Sequence, residues 1–102
     1  MRLICFFDLP VETAKDRREY RLFRKFLLKN GYLMLQESVY AKLVTNEGNA
    51  EVAMSALKKN RPPAGLVQVL KVNERQFASM EYITGKPQEF DEIDTVEDFL
   101  VI

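Results

Sequence analysis

The chain has no histidine. Histidine-dependent catalytic triads, imidazole general bases and histidine metal ligands are therefore excluded. Any metal must sit on oxygen ligands, which points to magnesium, manganese or calcium. The single cysteine, Cys5, cannot form an intrachain disulfide, and no zinc-type spacing exists. No apolar segment approaches the roughly 20 residues that span a bilayer. The amino terminus lacks the successive basic, apolar and small-residue regions of a signal peptide, so a cytoplasmic protein with no membrane partner is expected. There is no glycine-rich phosphate loop and no low-complexity segment. What remains is 102 residues, 47% apolar and 29% charged, which suits one soluble domain with a modest core.

The chain is organised around Leu3-Ile4-Cys5-Phe6-Phe7-Asp8-Leu9-Pro10. Five apolar residues meet a carboxylate and a proline. So short a run, bounded by turn residues, suits a strand buried on both faces, ending near Asp8 or Leu9 because Pro10 has no N–H to donate. Alternation sends Leu3, Cys5 and Phe7 one way and Ile4, Phe6 and Asp8 the other. An acid then stands at the carboxyl end of a central strand. It is either a turn former, accepting from the backbone just after it, or a site residue.

The zero net charge hides an asymmetry. Six of the fifteen acids (Glu89, Asp91, Glu92, Asp94, Glu97 and Asp98) lie in residues 89–102 with no base, leaving nine acids against all fifteen bases before them. A body of about +6 suggests a polyanionic partner. The acidic tail is a solvating end or docks on a basic surface, and its apolar residues imply that part of it packs on something.

After Pro10, Thr13 and Asp16 make a short capping box for a helix to about Asn30, stopped by Gly31. Tyr20, Phe23, Phe26 and Leu27 mark its buried stripe. Arg18, Arg21, Lys25 and Lys29 recur at three- and four-residue steps as one ridge, flanked by Arg17 and Arg24. Seven bases face only two acids in this helix, an excess that repels itself unless an anion lies nearby. Contacts to nucleic-acid phosphates are expected from it, with little sequence preference. Lys58, Lys59 and Arg61 are expected to extend the surface.

Tyr32–Leu35 and Glu37–Val44 read as a hairpin, with Val39, Ala41 and Leu43 on one side. A second helix follows near 47–60, capped by Thr45, Asn46 or Asn49, with Ala50, Ala53, Met54 and Leu57 facing the sheet. Arg61-Pro62-Pro63 ends it. Leu66–Val72 is a further strand, Asn73–Ser79 a short helical turn and Met80–Thr84 a fifth short strand. The order predicts an α+β, ferredoxin-like βαββαβ sandwich over residues 1–84, with an extra C-terminal strand and an acidic segment over 85–102. One sheet face lacks helices, and Ile4 and Phe6 make it too apolar for water, so a homodimer is expected.

This fold hosts many functions. The Gly-Phe-Gly-Phe-like motif of an RNA-recognition module is missing, and Tyr40 alone does not replace it. Three stretches together carry a resemblance: Ile4-Cys5-Phe6-Phe7-Asp8-Leu9-Pro10, Arg17 to Leu27 (RREYRLFRKFL), and Gln36 to Leu43 (QESVYAKL). They resemble the CRISPR-associated Cas2 family, particularly members from type II systems, as does Val72 to Phe77 with Met80. The resemblance covers nearly all of residues 1–85. It implies a ferredoxin-like homodimer that bridges dimers of the CRISPR integrase subunit during spacer acquisition, holding double-stranded DNA. It also implies that Asp8 binds magnesium (Mg2+) in members that cleave RNA or DNA, with two copies of Asp8 meeting in the dimer. Scaffold and magnesium-dependent endonuclease are the two readings. A ferredoxin-like small-molecule regulatory module is a third, outside the family.

Overall fold

The computed structural model describes residues 1–87. Strand β1 (Arg2–Asp8) leads through helix α1 (Ala14–Lys29) to the hairpin β2 (Leu33–Gln36) and β3 (Val39–Leu43). Helix α2 (Glu47–Lys59), strand β4 (Leu66–Val72) and the short helix α3 (Glu74–Ala78) follow. The strands form one antiparallel sheet in the order β2-β3-β1-β4. This is the split βαβ arrangement of the ferredoxin-like fold, with β1 in the interior of the sheet.

Local chemistry sets the boundaries. The Thr13 hydroxyl accepts from the Asp16 N–H and the Asp16 carboxylate accepts from the Thr13 N–H, so two of α1's orphan amide groups are satisfied. Gly31, at φ +88°, turns the chain out of α1. Asn46 caps α2, and Asn73 with Gln76 forms a second capping box at α3.

Register fixes the two faces. Cys5 stands opposite Tyr40 and Val69, and Leu3 opposite Lys42 and Lys71, so these side chains share the helix-covered face. There Phe7 meets Phe23 edge-on at 5.2 Å and Tyr20 at 5.9 Å, and stacks on Tyr40 at 5.7 Å. Such pairs add about 0.5–1.5 kcal/mol each beyond area burial. Leu27, Tyr32 and Leu57 complete this core. A second cluster joins Leu3 and Val44 to Ala50 and Ala53, whose small side chains bring α2 close to the sheet. Tyr40 is thus a core residue.

The other face carries Ile4, Phe6 and Asp8 with their cross-strand partners Ala41, Val39, Leu70, Gln68 and Leu66. Ile4 and Ala41 are buried at its centre, whereas Leu33, Leu43, Leu66 and Leu70 are each more than half exposed. Helix α3 reaches this side at Arg2, whose guanidinium sits 4.5 Å from the centre of the Phe77 ring and pairs with Glu74.

One expectation fails. Met80–Thr84 forms no strand. Met80, Tyr82 and Ile83 are exposed. Alternation gives a segment strand character, but a strand exists only as part of a ladder, and this segment pairs with neither of the sheet's outer strands, β2 or β4, among the described residues. The acidic segment from Gln88 onward, expected to pack or to solvate, lies outside the described residues.

Candidate nucleic-acid interface and metal position

Asp8 is the last residue of β1, opposite Leu66 of β4. Its side chain is exposed and takes part in no hydrogen bond among the described residues, so the turn-forming bond open to it is not made. The backbone beneath it is fixed by Gly65, at φ +93°. A Cβ at Gly65 would lie 2.6 Å from the Asp8 carbonyl oxygen and 2.8 Å from Leu9 Cδ2, so only glycine lets the Pro62–Gly65 loop close on the end of β1. Sequence reasoning overlooked Gly65. Its only signal was a glycine following Pro-Pro-Ala.

The loop beyond Asp8 is held by Arg17, whose Nη1 donates to the carbonyl oxygens of Val11 at 3.0 Å and Glu12 at 3.2 Å. One arm of this predicted phosphate ligand is therefore committed to the loop. No group of three acidic or thiol side chains assembles among the described residues, so Glu12 and Glu37 do not complete a carboxylate triad around Asp8. Cys5 is wholly buried, and burial pushes its thiol up to about 11, which excludes it as a thiolate nucleophile at neutral pH.

Magnesium takes one or two carboxylates and keeps several waters. One Asp8 is a minimal share of such a shell, and two from a pair of protomers match it. The donor type fits: an exposed, oxygen-only ligand.

On α1, Arg18, Arg21, Lys25 and Lys29 are all exposed. Arg21, Arg24, Lys25 and Lys29 line one open groove together with Leu28. None of them forms an ion pair among the described residues. The ion pairs there join Glu74 to the Met1 amino group and Arg2, and Glu47 to Lys71. Asp16, an available counter-charge, is spent in the capping box. Arg24 is half-buried beside the Tyr40 hydroxyl. Burial raises the Tyr40 pKa, and the guanidinium opposes that rise.

The second basic group does not continue this groove. Lys58 lines a different depression with Glu47, Glu51 and Lys71, on the β4 side of α2. Lys59 is exposed at the end of α2, and exposed Arg61 leads into Pro62 and Pro63. Those prolines border a cleft with Lys15, Glu19 and Tyr20 at the start of α1. No helix among the described residues is long and apolar enough to cross a membrane.

The family model described as CRISPR associated protein Cas2 matches residues 1–80. The chain belongs to the CRISPR-associated Cas2 family. A Treponema denticola protein named CRISPR-associated endoribonuclease Cas2 is 52% identical over 86 residues, covering 84% of this chain and 85% of that protein. A Streptococcus mutans protein of the same name is 46% identical over 86 residues, covering 84% and 79%. The crystal structure of Streptococcus pyogenes Cas2 at pH 6.5 superposes with a TM-score of 0.60 at 17% identity, covering 82% of this chain and all of that one, a likeness of fold. Membership in the Cas2 family sets aside the small-molecule module, a reading that required the chain to stand outside it.

Proposed function

We propose that this Cas2-family protein is a dimeric scaffold that holds duplex DNA on α1 and joins the CRISPR integrase subunit during spacer acquisition. The observation that carries the reading is the α1 ridge: Arg18, Arg21, Lys25 and Lys29 exposed in a row with no acid partner among the described residues. Cations spaced along about 16 Å of helix match the closely spaced phosphates of a duplex, and each neutralised phosphate releases counterions. The apolar open face, with Leu33, Leu43, Leu66 and Leu70 exposed, gives a second copy a surface to cover. That pairing doubles the basic surface. Integrase partnership is what the family resemblance adds.

The test compares the wild-type protein with the Arg18→Ala, Arg21→Ala, Lys25→Ala variant. Loss of duplex affinity and a shallower salt dependence are expected, by about 0.9 per lost phosphate contact. An unchanged salt slope sinks the reading. Co-purification with an integrase subunit tests the partner independently.

A second reading rests on the exposed, unbonded Asp8 carboxylate and on relatives named as endoribonucleases: magnesium-dependent phosphodiester hydrolysis. Asp8 and its counterpart in the second copy would hold the cation, which supplies an activated water and stabilises charge on the phosphate. Arg17 keeps the loop after Asp8 in place, and Gly65 lets the neighbouring loop seat the end of β1. An Asp8→Ala protein should lose hydrolysis and keep duplex binding. Full magnesium-dependent cleavage by that variant removes Asp8 from the mechanism, and survival of spacer acquisition in it favours the scaffold.

A further inference from the structure

Four of the described residues have a left-handed backbone. Three are glycines, Gly31, Gly65 and Gly85, and the fourth is Ser38, at φ +69°. Serine is strained there, because its Cβ crowds the following carbonyl oxygen. The place is a turn. Glu37 and Ser38 are the two residues between the paired Gln36 and Val39, and the positive-φ position of such turns calls for glycine or asparagine. Strain kept where glycine would relieve it implies a use for the side chain.

The fold itself does not use it. Ser38 is half-buried, and its hydroxyl makes no hydrogen bond among the described residues. Its backbone, by contrast, is fixed. The Phe7 N–H donates to the Ser38 carbonyl oxygen at 3.0 Å, one step past the last β1–β3 pair, Phe6 with Val39. Ser38 therefore stands across from Phe7, and the next residue on β1 is Asp8. A carboxylate and a hydroxyl, neither bonded within the described chain, share one end of the two central strands. Strict alternation would carry Ser38 to the helix-covered side with Tyr40. A left-handed residue beside the register shift at Met34 and Gln36 breaks that alternation, as bulges do where they re-aim a side chain.

We propose that Ser38 is a substrate-binding residue of the Asp8 position, its hydroxyl donating to a phosphate oxygen of a bound nucleic-acid strand. Its effect on cleavage rests on the hydrolysis reading of Asp8; the contact itself stands on the turn. The chain has no histidine to take the hydroxyl proton, so Ser38 acts as a donor and forms no bond to phosphorus. A neutral donor suits the place. It holds a phosphate oxygen without competing with a cation for Asp8, whereas a lysine or arginine there would pair with the carboxylate.

Two substitutions separate this from a structural role. Ser38→Gly removes hydroxyl and strain together, and Ser38→Ala removes the hydroxyl alone. Ser38→Gly should melt a few degrees above wild type, yet cleave a short single-stranded RNA about ten- to a hundredfold more slowly in magnesium, the worth of one hydrogen bond to a charged oxygen. Ser38→Ala should lose as much activity without the gain in melting temperature. A Ser38→Gly protein that cleaves like wild type overturns the proposal. So does one that melts lower, since the serine would then be holding the turn. Binding without magnesium reads the contact free of turnover: adding Ser38→Ala to Asp8→Ala should weaken affinity for the same RNA about tenfold, and unchanged affinity overturns the contact. If wild type cleaves nothing, or Asp8→Ala cleaves fully, the hydrolysis reading falls instead, and this binding comparison alone decides Ser38.

Discussion

Helices α1 and α2 pack on the same face of one sheet, yet their outer surfaces follow opposite rules. In α2 the charges obey the helix dipole: Glu47 and Glu51 lie toward its start and Lys58 and Lys59 at its end. Glu47 also pairs with Lys71 at 2.6 Å. In α1, bases run the whole length, including Lys15, Arg17 and Arg18 near the amino end, where the dipole disfavours them. Only Asp16 in its first turn is acidic, and it serves the cap. A helix shaped for stability looks like α2. A helix that keeps unfavourable cations looks like α1, and the proposed nucleic-acid contact would offset that excess.

The sharpest break in that comparison comes from the inner side of α1. Phe23→Ala should cost about 3–5 kcal/mol, since Phe23 is buried against Phe7 and near Phe26. Denaturant unfolding should show it, and a loss under 1 kcal/mol would mean that α1 is not held by its aromatic stripe. Next is the ridge. The Arg18→Ala, Arg21→Ala, Lys25→Ala protein should lose on the order of 100-fold in duplex affinity near physiological salt. Its stability should hold or rise by a few tenths of a kcal/mol, because alanine is the better helix former and a cation leaves the amino-terminal half. A clear fall in melting temperature would reassign the ridge to the fold.

On α2 the signs reverse. Lys58→Ala with Lys59→Ala should lower stability by roughly 0.3–1 kcal/mol through the lost dipole interaction, and should change duplex binding much less than the ridge variant does. An equal loss of binding would merge the two basic groups into one surface. The smallest effect belongs to Glu74. Hydrogen bonds from Arg2 and the Met1 amino group hold its carboxyl below the usual carboxylate value. A depressed folded-state pKa gives stability that is present above the unfolded value and is lost as pH falls through the folded one. Thermal melts of wild type and Glu74→Gln should therefore differ slightly at neutral pH and converge in acid. A gap that persists in acid would rule out ion pairing as the source.

Much of the fold was legible in residue order. Strand β1 ends at Asp8 as the proline after Leu9 demands, Thr13 with Asp16 opens α1, and Gly31 closes it. These signals are local: a missing N–H, a capping oxygen, a left-handed turn. The partition of Val39, Ala41 and Leu43 from Tyr40 and Lys42 also held, since alternation is a property of the strand itself. Met80–Thr84 misled for the converse reason, because a ladder needs an edge and an edge is a tertiary object. The site was legible only as a set of residue types. Asp8 and the ridge were visible, but not that Arg17 is partly committed to the loop, that Gly65 seats the end of β1, or that Lys58 opens onto a different depression.

Composition and spacing alone determined that no histidine chemistry operates, that the charge is divided between a basic body and an acidic end, and that one helix carries cations beyond what its own acids offset. The tertiary structure decided which of those cations are already used. Whether a guanidinium finds a carbonyl, a carboxylate or neither depends on distances between elements far apart in sequence, as in the pairing of Arg2 with Glu74, and no local pattern encodes those distances.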